Sequence, residues 1–497
     1  MQFEYSSGKP QNIIADALVM FTPQLSSITD RKLKELDQAT DGALGFLTKS
    51  EDFAGKQNQI AAFYKPAGYK ADRVMLVGLG EKKNLNYDSI RKATGTLSHK
   101  DSVSRLNSIA FYFDTFNDEK YFQAAAEGFL LGGFKMLEYK SKPEDKDQSR
   151  IKKIIFVVSE KKHLQKMKKA AEMGRIISEG QNLARRLSFT PANDLTPTDL
   201  AAKAQELAKA NKLKCTILDR DAIKKERMGG ILAVAQGSAE QPKFIILEYK
   251  GAAAKRPPIV LVGKGVTFDA GGISIKPAAD MHEMKGDMTG AAVMLAVIIC
   301  AAQLKLPLNL VTLIPSAENM PSSTAYKPGD VIKLRKGLTV EIINTDAEGR
   351  LLLADALDYA NNYNPEAVID IATLTGGALY ILGYAGAPIV ANNKKLADSI
   401  RRAANISAER VWEMPLWDDF RQAMKSPIAD LWNSGGRAAP TLTASAFLES
   451  FIGDYNWAHI DIAYMDLEKS GQPYIPKGPT GFGVRLLVEL LADWRKL

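Results

Sequence analysis

Short, mostly apolar runs recur through the second half of this chain, each followed by a longer stretch of helical character. They lie at residues 244–248, 259–262, 310–314 and 367–371. A strand that is apolar at consecutive positions is covered on both faces, which is typical of a parallel sheet lying between helices. The alternation therefore predicts an α/β fold with a mainly parallel central sheet and right-handed crossovers.

Charged residues cluster where these predicted strands end and the next helices begin. Lys264, Asp269 and Lys276 follow the run at 259–262, and Asp287 precedes the apolar helical run at 291–300. In parallel sheets ligands bind beyond the carboxyl ends of the strands. These positions are therefore expected to face a common cleft.

The segment 344–353 carries a second cluster, in which Asp346, Glu348 and Arg350 alternate just before the apolar helical run 351–357. A strand at 340–344 is expected to deliver them to the tip of a sheet. Close carboxylates repel each other, so a positive charge must lie between them. Arg350 or metal ions could supply it. The acids, together with Lys264 as a nitrogen ligand, suit a dinuclear site for hard or borderline divalent metals.

Length and composition agree with a multidomain globular enzyme. The chain has 497 residues, 46% hydrophobic and 25% charged, and roughly 150 residues per domain allows two to four domains. It has no uninterrupted apolar run of about 18 residues and no basic-then-apolar N-terminal signal, so neither a membrane partner nor secretion is expected. The two cysteines are interpreted as core residues of a reducing compartment, which favours a cytoplasmic location.

The first third of the chain also alternates short strands with amphipathic helices, whereas the stretch after it is continuously helical. These patterns divide the chain into an N-terminal α/β domain at 1–160, a connecting helix at 161–187 and a catalytic domain at 188–497.

The positive charge is concentrated in one segment. Residues 140–169 hold eleven Lys or Arg against four Asp or Glu, whereas the whole chain carries a formal charge of +8. Such a segment could attract nucleic acid, or it could be the solvated face of a helix.

The chain resembles the leucyl aminopeptidase family of cytosolic dinuclear metallopeptidases. Residues 344–351 look like the family's signature octapeptide, and the blocks 263–277 and 284–291 are similar to its other metal-binding segments. The run 368–376 also fits in order and interval. The resemblance is close from residue 182 onward, and the N-terminal third is similar only in size and placement.

The resemblance implies a role for each charged residue of the two clusters. Asp269 and Glu348 would bridge two metals, Asp346 would complete one site, and Lys264 and Asp287 would complete the other. Lys276 would stabilise the oxyanion, and Arg350 would hold a bicarbonate ion that relays the proton. Five further positions would line the substrate cleft: Met284, Asn344, Thr373, Leu374 and Gly376.

The family further implies a macro-like N-terminal domain, a homohexamer, and an aminopeptidase that removes Leu or other bulky uncharged residues from peptides with a bridging hydroxide as nucleophile. Manganese or zinc is expected, with magnesium or cobalt as alternatives. The ligands alone do not choose among these metals, because oxygen ligands suit manganese and magnesium while the affinity order favours zinc.

Two other functions stay open at this stage. A dinuclear phosphoesterase would use the same carboxylates, with Lys276 and Arg350 on the phosphate. A DNA-binding regulator would use the basic segment 140–169, in addition to peptidase activity or instead of it.

Overall fold

The computed structural model describes residues 1–114, 118–142 and 149–495, which form two compact units. The first unit contains Met1–Glu179 and Ser470–Pro476, and the second contains Gly180–Lys469 and Lys477–Leu497. These units differ from the predicted domain ranges, because a short segment near the C-terminus groups with the N-terminal unit. The predicted connecting helix begins at Leu164 rather than at 161 and ends at Phe189.

The first unit is built on a sheet with the strand order β1-β6-β5-β2-β4-β3, in which every neighbouring pair is parallel except β3 with β4. Its strands are β1 (Gln2–Ser7), β2 (Ala17–Thr22), β3 (Ile60–Tyr64), β4 (Arg73–Gly78), β5 (Ser108–Phe113) and β6 (Lys153–Val158). Its helices are α1 (Arg31–Ala39), α2 (Ala43–Lys49), α3 (Tyr87–Ser98), α4 (Asp101–Ser104), α5 (Lys120–Gly132) and α6 (Leu164–Phe189), the last of which continues into the second unit.

Strand β2 shows why these strands are apolar at consecutive positions. Ala17 and Val19 belong to the hydrophobic core on one face of the sheet, with residues of α3, α5 and α6. Leu18 and Met20 belong to a separate core on the other face, with residues of α1 and α2. A strand buried on both faces loses the apolar–polar alternation of a half-exposed strand.

The second unit has a central sheet with the order β16-β15-β18-β14-β9-β11-β8-β7, and β10 also pairs with β11. Its strands are β7 (Lys214–Leu218), β8 (Lys243–Lys250), β9 (Ile259–Gly263), β10 (Gly265–Asp269), β11 (Asn309–Asn319), β14 (Ala367–Ala372), β15 (Ala387–Ala391), β16 (Val411–Glu413) and β18 (Asn456–Asp461). Shorter strands form two small sheets: β12 (Val331–Lys333) with β13 (Thr339–Glu341) and β17 (Leu431–Trp432), and β19 (Leu467–Glu468) with β20 (Gly478–Pro479).

Helices cover both faces of this sheet. They are α7 (Pro197–Ala210), α8 (Arg220–Lys225), α9 (Gly229–Val234), α10 (Thr289–Gln303), α11 (Gly349–Ala360), α12 (Ala378–Leu382), α13 (Lys394–Ser407), α14 (Asp418–Gln422), α15 (Pro440–Glu449) and α16 (Val484–Ala492). Val260 and Val262 of β9 face the core formed with α9, α11 and α15. Ile259 and Leu261 are equally buried, and α10 packs against β9 and β14.

The predicted fold class is confirmed, with antiparallel pairings on both sides of the parallel strands, one of which joins β15 to β18. Strands β18, β14, β9 and β11 are neighbours and all parallel, as expected for an α/β domain. The run at 244–248 lies in β8, which is antiparallel to β11 and to β7. An antiparallel strand at the side of a parallel sheet is common in large α/β folds.

One stretch of the described residues is long and apolar enough to cross a membrane by length and composition. It is Met281–Gln303, and 89% of its most apolar window is buried inside the protein. Helix α10 makes up most of this stretch, and its packing against β9 and β14 explains its apolar composition.

We predict that Gly128→Ala destabilises the packing of α5 on α3. A methyl group at Gly128 would lie 2.2 Å from the carbonyl oxygen of Arg91 and 2.3 Å from Oγ1 of Thr94. The overlap involves backbone, so the helices must separate, at a cost of about 1–3 kcal/mol. Hydrogen exchange measured by mass spectrometry should show faster exchange of the α3 and α5 amides.

Gly133→Ala is the matched control at the end of the same helix. Its methyl group would make only an ordinary contact, 3.4 Å from the carbonyl oxygen of Phe129. Equal exchange rates in the two variants would show that the close approach at Gly128 does not limit stability.

Candidate metal centre

The charged residues singled out in the sequence meet at the carboxyl ends of the parallel strands. Lys264 follows β9, and Asp269 is the last residue of β10. Asp287 lies just before α10, and Glu348 is the residue before α11. The strand ends and the helix beginnings share one edge of the sheet, so residues far apart in sequence come together there.

Lys264 is at the centre of one half of the cluster. Its Nζ lies 2.8 Å from Oδ1 of Asp287 and 2.8 Å from Oε1 of Glu348, and it donates to the carbonyl oxygen of Thr373 at 3.0 Å. Burial lowers the pKa of Lys264, but the neighbouring carboxylates outweigh burial and raise it above its ordinary value. In this arrangement the buried ammonium supplies a positive charge that the carboxylates need.

Gly349 leaves room for Lys264. A methyl group at that position would lie 2.5 Å from Cε and 2.7 Å from Nζ of Lys264. The glycine of the octapeptide is therefore required by close packing of the lysine, a role that sequence reasoning missed.

Lys276 occupies the other half of the cluster. Its Nζ lies 2.8 Å from Oδ2 of Asp269, and it also pairs with Oδ1 of Asp346. Burial lowers the pKa of Lys276, but Asp269, Glu348 and Asp346 outweigh it and raise the pKa. The side chain is 21% exposed, against 3% for Lys264, so only Lys276 is open to a substrate.

Three of the four clustered carboxyl groups are hard to ionise. Burial, followed by repulsion from Glu348, raises the pKa of Asp269 to about 6 despite the two lysines. Burial is also the main cause that raises the pKa of Asp287 and of Asp346. Glu348 differs, because Lys264 and Lys276 outweigh its burial and lower its pKa.

The donor set fits divalent metal ions. One carboxylate oxygen from each of Asp269, Asp346 and Glu348 lies within 4.8 Å of the others. Oδ2 of Asp287 and Oδ1 of Asp346 are buried beside ammonium groups without receiving a well-formed hydrogen bond. Carboxylate oxygens with spare acceptor capacity and raised pKa values are what a bound dication would stabilise.

The loop that carries Asp346 is not delivered by a strand at 340–344, and that expectation was wrong. Strand β13 ends at Glu341 and belongs to a small sheet outside the central one. The buried amide of Asn433 holds the loop instead: its Nδ2 donates to the carbonyl oxygen of Asn344 at 2.6 Å, and its Oδ1 accepts from the backbone of Ile343 at 2.8 Å. Oδ1 of Asn344 in turn accepts from the backbone N–H of Asp346.

Asn319, at the end of β11, is another supporting residue that the sequence did not reveal. Its Nδ2 donates to Oδ1 of Asp269 at 2.8 Å and to the carbonyl oxygen of Thr345 at 2.9 Å. The hydroxyl of Tyr326 donates to the same carbonyl at 2.8 Å. The polar residues Glu318 and Asn319, which close β11 after its apolar run, were the available signal for Asn319.

Arg350 lies in the first turn of α11 and is 6% exposed. Its Nε and Nη1 are buried and have no hydrogen-bond partner among the described residues. Burial lowers the pKa of Arg350 to about 10, although Glu348 and Asp461 oppose this. The group stays charged at neutral pH, and its free donors suit a small oxyanion.

A buried hydrogen-bond network joins β14 to β18. Nδ1 of His459 lies 2.5 Å from Oδ1 of Asp370, and Nε1 of Trp457 donates to Oδ2 of Asp370 at 2.7 Å. Asp370 and His459 are direct neighbours in the register of the two strands. The network satisfies a buried carboxylate and was not foreseen from the sequence.

The loop after β14 brings the predicted substrate positions Thr373, Leu374 and Gly376 to the same edge. Oγ1 of Thr373 donates to Oδ1 of Asp287 at 2.7 Å. The backbone N–H of Leu374 donates to Oδ1 of the buried Asp461, while its side chain is partly buried against the core. Gly376 is exposed.

Met284 lies in the short 3-10 helix Met281–Gly286 and is partly exposed, three residues before Asp287. It is thus next to the cluster in sequence, on the segment that leads into α10.

The basic segment 140–169 is described only in part, because residues 143–148 lie outside the described residues. Several of its cations have partners within their own unit. Lys153 pairs with Glu4 at 2.8 Å, and Lys162 pairs with Glu160 at 2.7 Å.

Comparison with known families gives two matches along the chain. Residues 182–488 match the cytosol aminopeptidase family, catalytic domain, and residues 19–143 match the cytosol aminopeptidase family, N-terminal domain. A protein of Geotalea uraniireducens (strain Rf4) described as a "Probable cytosol aminopeptidase" is 44% identical over 93% of both chains. A protein of Geobacter sp. (strain M21) with the same description is 40% identical over 99% of both chains.

Solved structures agree with these matches. The "Bottromycin maturation enzyme BotP" is 31% identical and superimposes with a TM-score of 0.84, covering 96% of this chain and 99% of the other. A second structure of the same enzyme, with the same TM-score, is described as a complex with Mn.

We predict that Asp346→Ala lowers the number of tightly bound metal ions, because it removes a carboxylate of the cluster without a substitute. Elemental analysis after dialysis against manganese or zinc would measure the loss. Glu341→Gln is the control, since Glu341 lies in the same segment but bonds to Trp432 and Ser426. Two tightly bound metals in Asp346→Ala would contradict the assignment.

Proposed function

The chain belongs to the cytosol aminopeptidase family, and we propose that it is a leucyl aminopeptidase with two divalent metals per subunit. The observation that carries the proposal is the buried cluster of carboxylates and lysines at the strand ends. The proposed substrates are peptides with N-terminal Leu or another bulky uncharged residue.

The proposed metal ligands are five residues of the cluster. Asp269 and Glu348 would bridge the metals, Asp346 would complete one site, and Lys264 and Asp287 would complete the other. Two bound metals would supply a bridging hydroxide at neutral pH and an anchor for the free α-amine. Lys264 must lose a proton to become a ligand, so we expect metal binding to release protons.

Lys276 is proposed as the donor to the developing oxyanion. Its carboxylate neighbours keep it protonated, and its partial exposure leaves the ammonium open to a bound peptide. A positive charge placed before the reaction stabilises the oxyanion without reorganisation during the step.

Arg350 is proposed to hold a bicarbonate ion. Its buried Nε and Nη1 have no hydrogen-bond partner among the described residues and are left to donate to an oxyanion. Bicarbonate held there would supply a base for proton transfer, which the guanidinium cannot provide because it keeps its proton.

The remaining cleft positions are proposed to bind the substrate: Met284, Asn344, Thr373, Leu374 and Gly376. Manganese or zinc is the proposed metal, with magnesium or cobalt as alternatives, and the proposed assembly is a cytoplasmic homohexamer. We do not propose DNA binding, because no contact of the described part of the basic segment indicates a nucleic-acid surface.

We predict that metal-stripped protein regains hydrolysis of Leu-p-nitroanilide when manganese, zinc, magnesium or cobalt is added back. The acetyl-Leu analogue should be inert, because acetylation removes the amine that anchors the substrate. Asp-p-nitroanilide should be cleaved poorly, because its carboxylate would enter an acid-rich cleft.

Comparable cleavage of the acetylated substrate would exclude an aminopeptidase. Hydrolysis of p-nitrophenyl phosphate in place of the anilides would favour the phosphoesterase, which uses the same kind of metal centre.

We predict that Lys276→Ala keeps both metals and lowers kcat by roughly 10²–10³-fold, the effect of removing one oxyanion donor. Lys327→Ala is the control, because Lys327 is an exposed lysine paired with Asp330 on the surface. Steady-state kinetics with elemental analysis would test it, and an increase in KM alone would rule out the oxyanion role.

A further inference from the structure

The loop that follows β18 lies between two segments to which we assign substrate positions. A methyl group at Gly376 would lie 3.7 Å from the hydroxyl of Tyr464. A methyl group at Gly286 would lie 3.6 Å from Oδ2 of Asp466. Residues 462–466 therefore contact both the segment of Thr373 and Leu374 and the 3-10 helix that carries Met284.

The backbone of this loop is held in an unusual conformation. Tyr464 has a φ of 67°, in the left-handed region that bulky residues rarely adopt. Its ring meets that of Tyr384 edge to face, with centroids 6.3 Å apart. Such a conformation persists only where the surrounding contacts fix it.

Hydrogen bonds fix the loop at both ends. Oδ1 of the buried Asp461 accepts from the backbone of Leu374 at 3.1 Å and from the backbone of Ala463 at 3.2 Å. At the other end, Thr480 donates from Oγ1 to the carbonyl oxygen of Met465 at 2.5 Å and from its backbone N–H to that of Asp466 at 2.8 Å. The backbone at Asp466 is thus held in place by the fold.

Asp466 carries a carboxyl group without a counterion. No Lys or Arg side chain forms an ion pair with it in the described part of the chain. Burial raises its pKa to about 7; Glu283 and Asp461 act in the same direction, and the backbone N–H groups of Asp466 and Tyr464 oppose this. The residue as a whole is partly exposed. An uncompensated carboxyl in such surroundings gains from a cation brought beside it.

Gly286 lies beside the carboxyl, since a methyl group there would be in ordinary contact with Oδ2 of Asp466. Gly286 lies between Met284 and Asp287 in the chain. A substrate side chain that runs along Met284 toward this turn therefore ends near a carboxylate.

We propose that Asp466 is a specificity-determining residue that extends the substrate class to peptides with N-terminal Lys or Arg. This inference rests on the proposed aminopeptidase function. The aliphatic stem of either residue fits the apolar wall that suits Leu, while its charged head pairs with the carboxylate. N-terminal Glu and Asp are repelled by the same group.

The experiment compares kcat/KM for Leu, Lys, Arg and Nε-acetyl-Lys p-nitroanilides at pH 8 with the manganese-loaded enzyme. The acetylated lysine keeps the stem and loses the charge. We expect Lys and Arg to equal or exceed Leu, and acetyl-Lys to fall roughly tenfold below Lys, as expected for loss of one ion pair in a partly buried pocket.

In Asp466→Asn, Lys and Arg should lose roughly tenfold or more relative to Leu. Asp280→Asn is the matched control: it removes an acidic charge from an exposed position just before Met281, and the Lys-to-Leu ratio should not change. As a test on the wild-type enzyme alone, free L-lysine should inhibit at least as strongly as L-leucine.

The outcomes separate the two hypotheses. If the wild-type enzyme does not cleave the Leu substrate with any added metal, the proposed function fails. If it cleaves Leu but prefers acetyl-Lys to Lys, or if Asp466→Asn lowers Leu and Lys equally, the role of Asp466 is wrong. Weaker inhibition by lysine than by leucine would also overturn it.

Discussion

The site depends on keeping several carboxyl groups together inside the protein. Asp269, Asp287, Asp346 and Glu348 would repel one another and would be poorly solvated, and burial raises the pKa of the first three. The ammonium groups of Lys264 and Lys276 offset this repulsion. A bound dication would reduce the repulsion between the carboxylates more strongly. The arrangement of the carboxylates therefore favours metal binding.

The parallel sheet makes this clustering feasible, because its strands all end at one edge while the helices begin there. Residues at the ends of β9 and β10 and at the beginning of α10 converge with those before α11, some 60 or more residues later in the chain. Close backbone packing is needed to complete the site. Gly349 admits Lys264, and Asn433 and Asn319 fix the loop that carries Asp346.

Charged groups in the interior of the second unit and at the edge of the cleft differ in whether they have partners within the protein. In the interior, His459 and Trp457 bond to the two carboxylate oxygens of the buried Asp370. Arg350 and Asp466 differ, since the first has unpartnered donors and the second has a carboxyl without a counterion. Because no ion pair among the described residues neutralises these two charges, they are available to a ligand. We therefore propose an anion at Arg350 and a cationic substrate side chain at Asp466.

The sequence by itself determined the fold class and which residues form the cluster, because doubly buried strands and charged strand ends leave a local pattern. The family resemblance added roles to those residues. Only the tertiary structure decided that β8 runs antiparallel, that the loop of Asp346 is held by Asn433 rather than by a strand, and that Asp466 lies beside the turn after Met284. These three features depend on contacts between residues that are distant in the chain, so the periodicity and spacing of the sequence do not predict them.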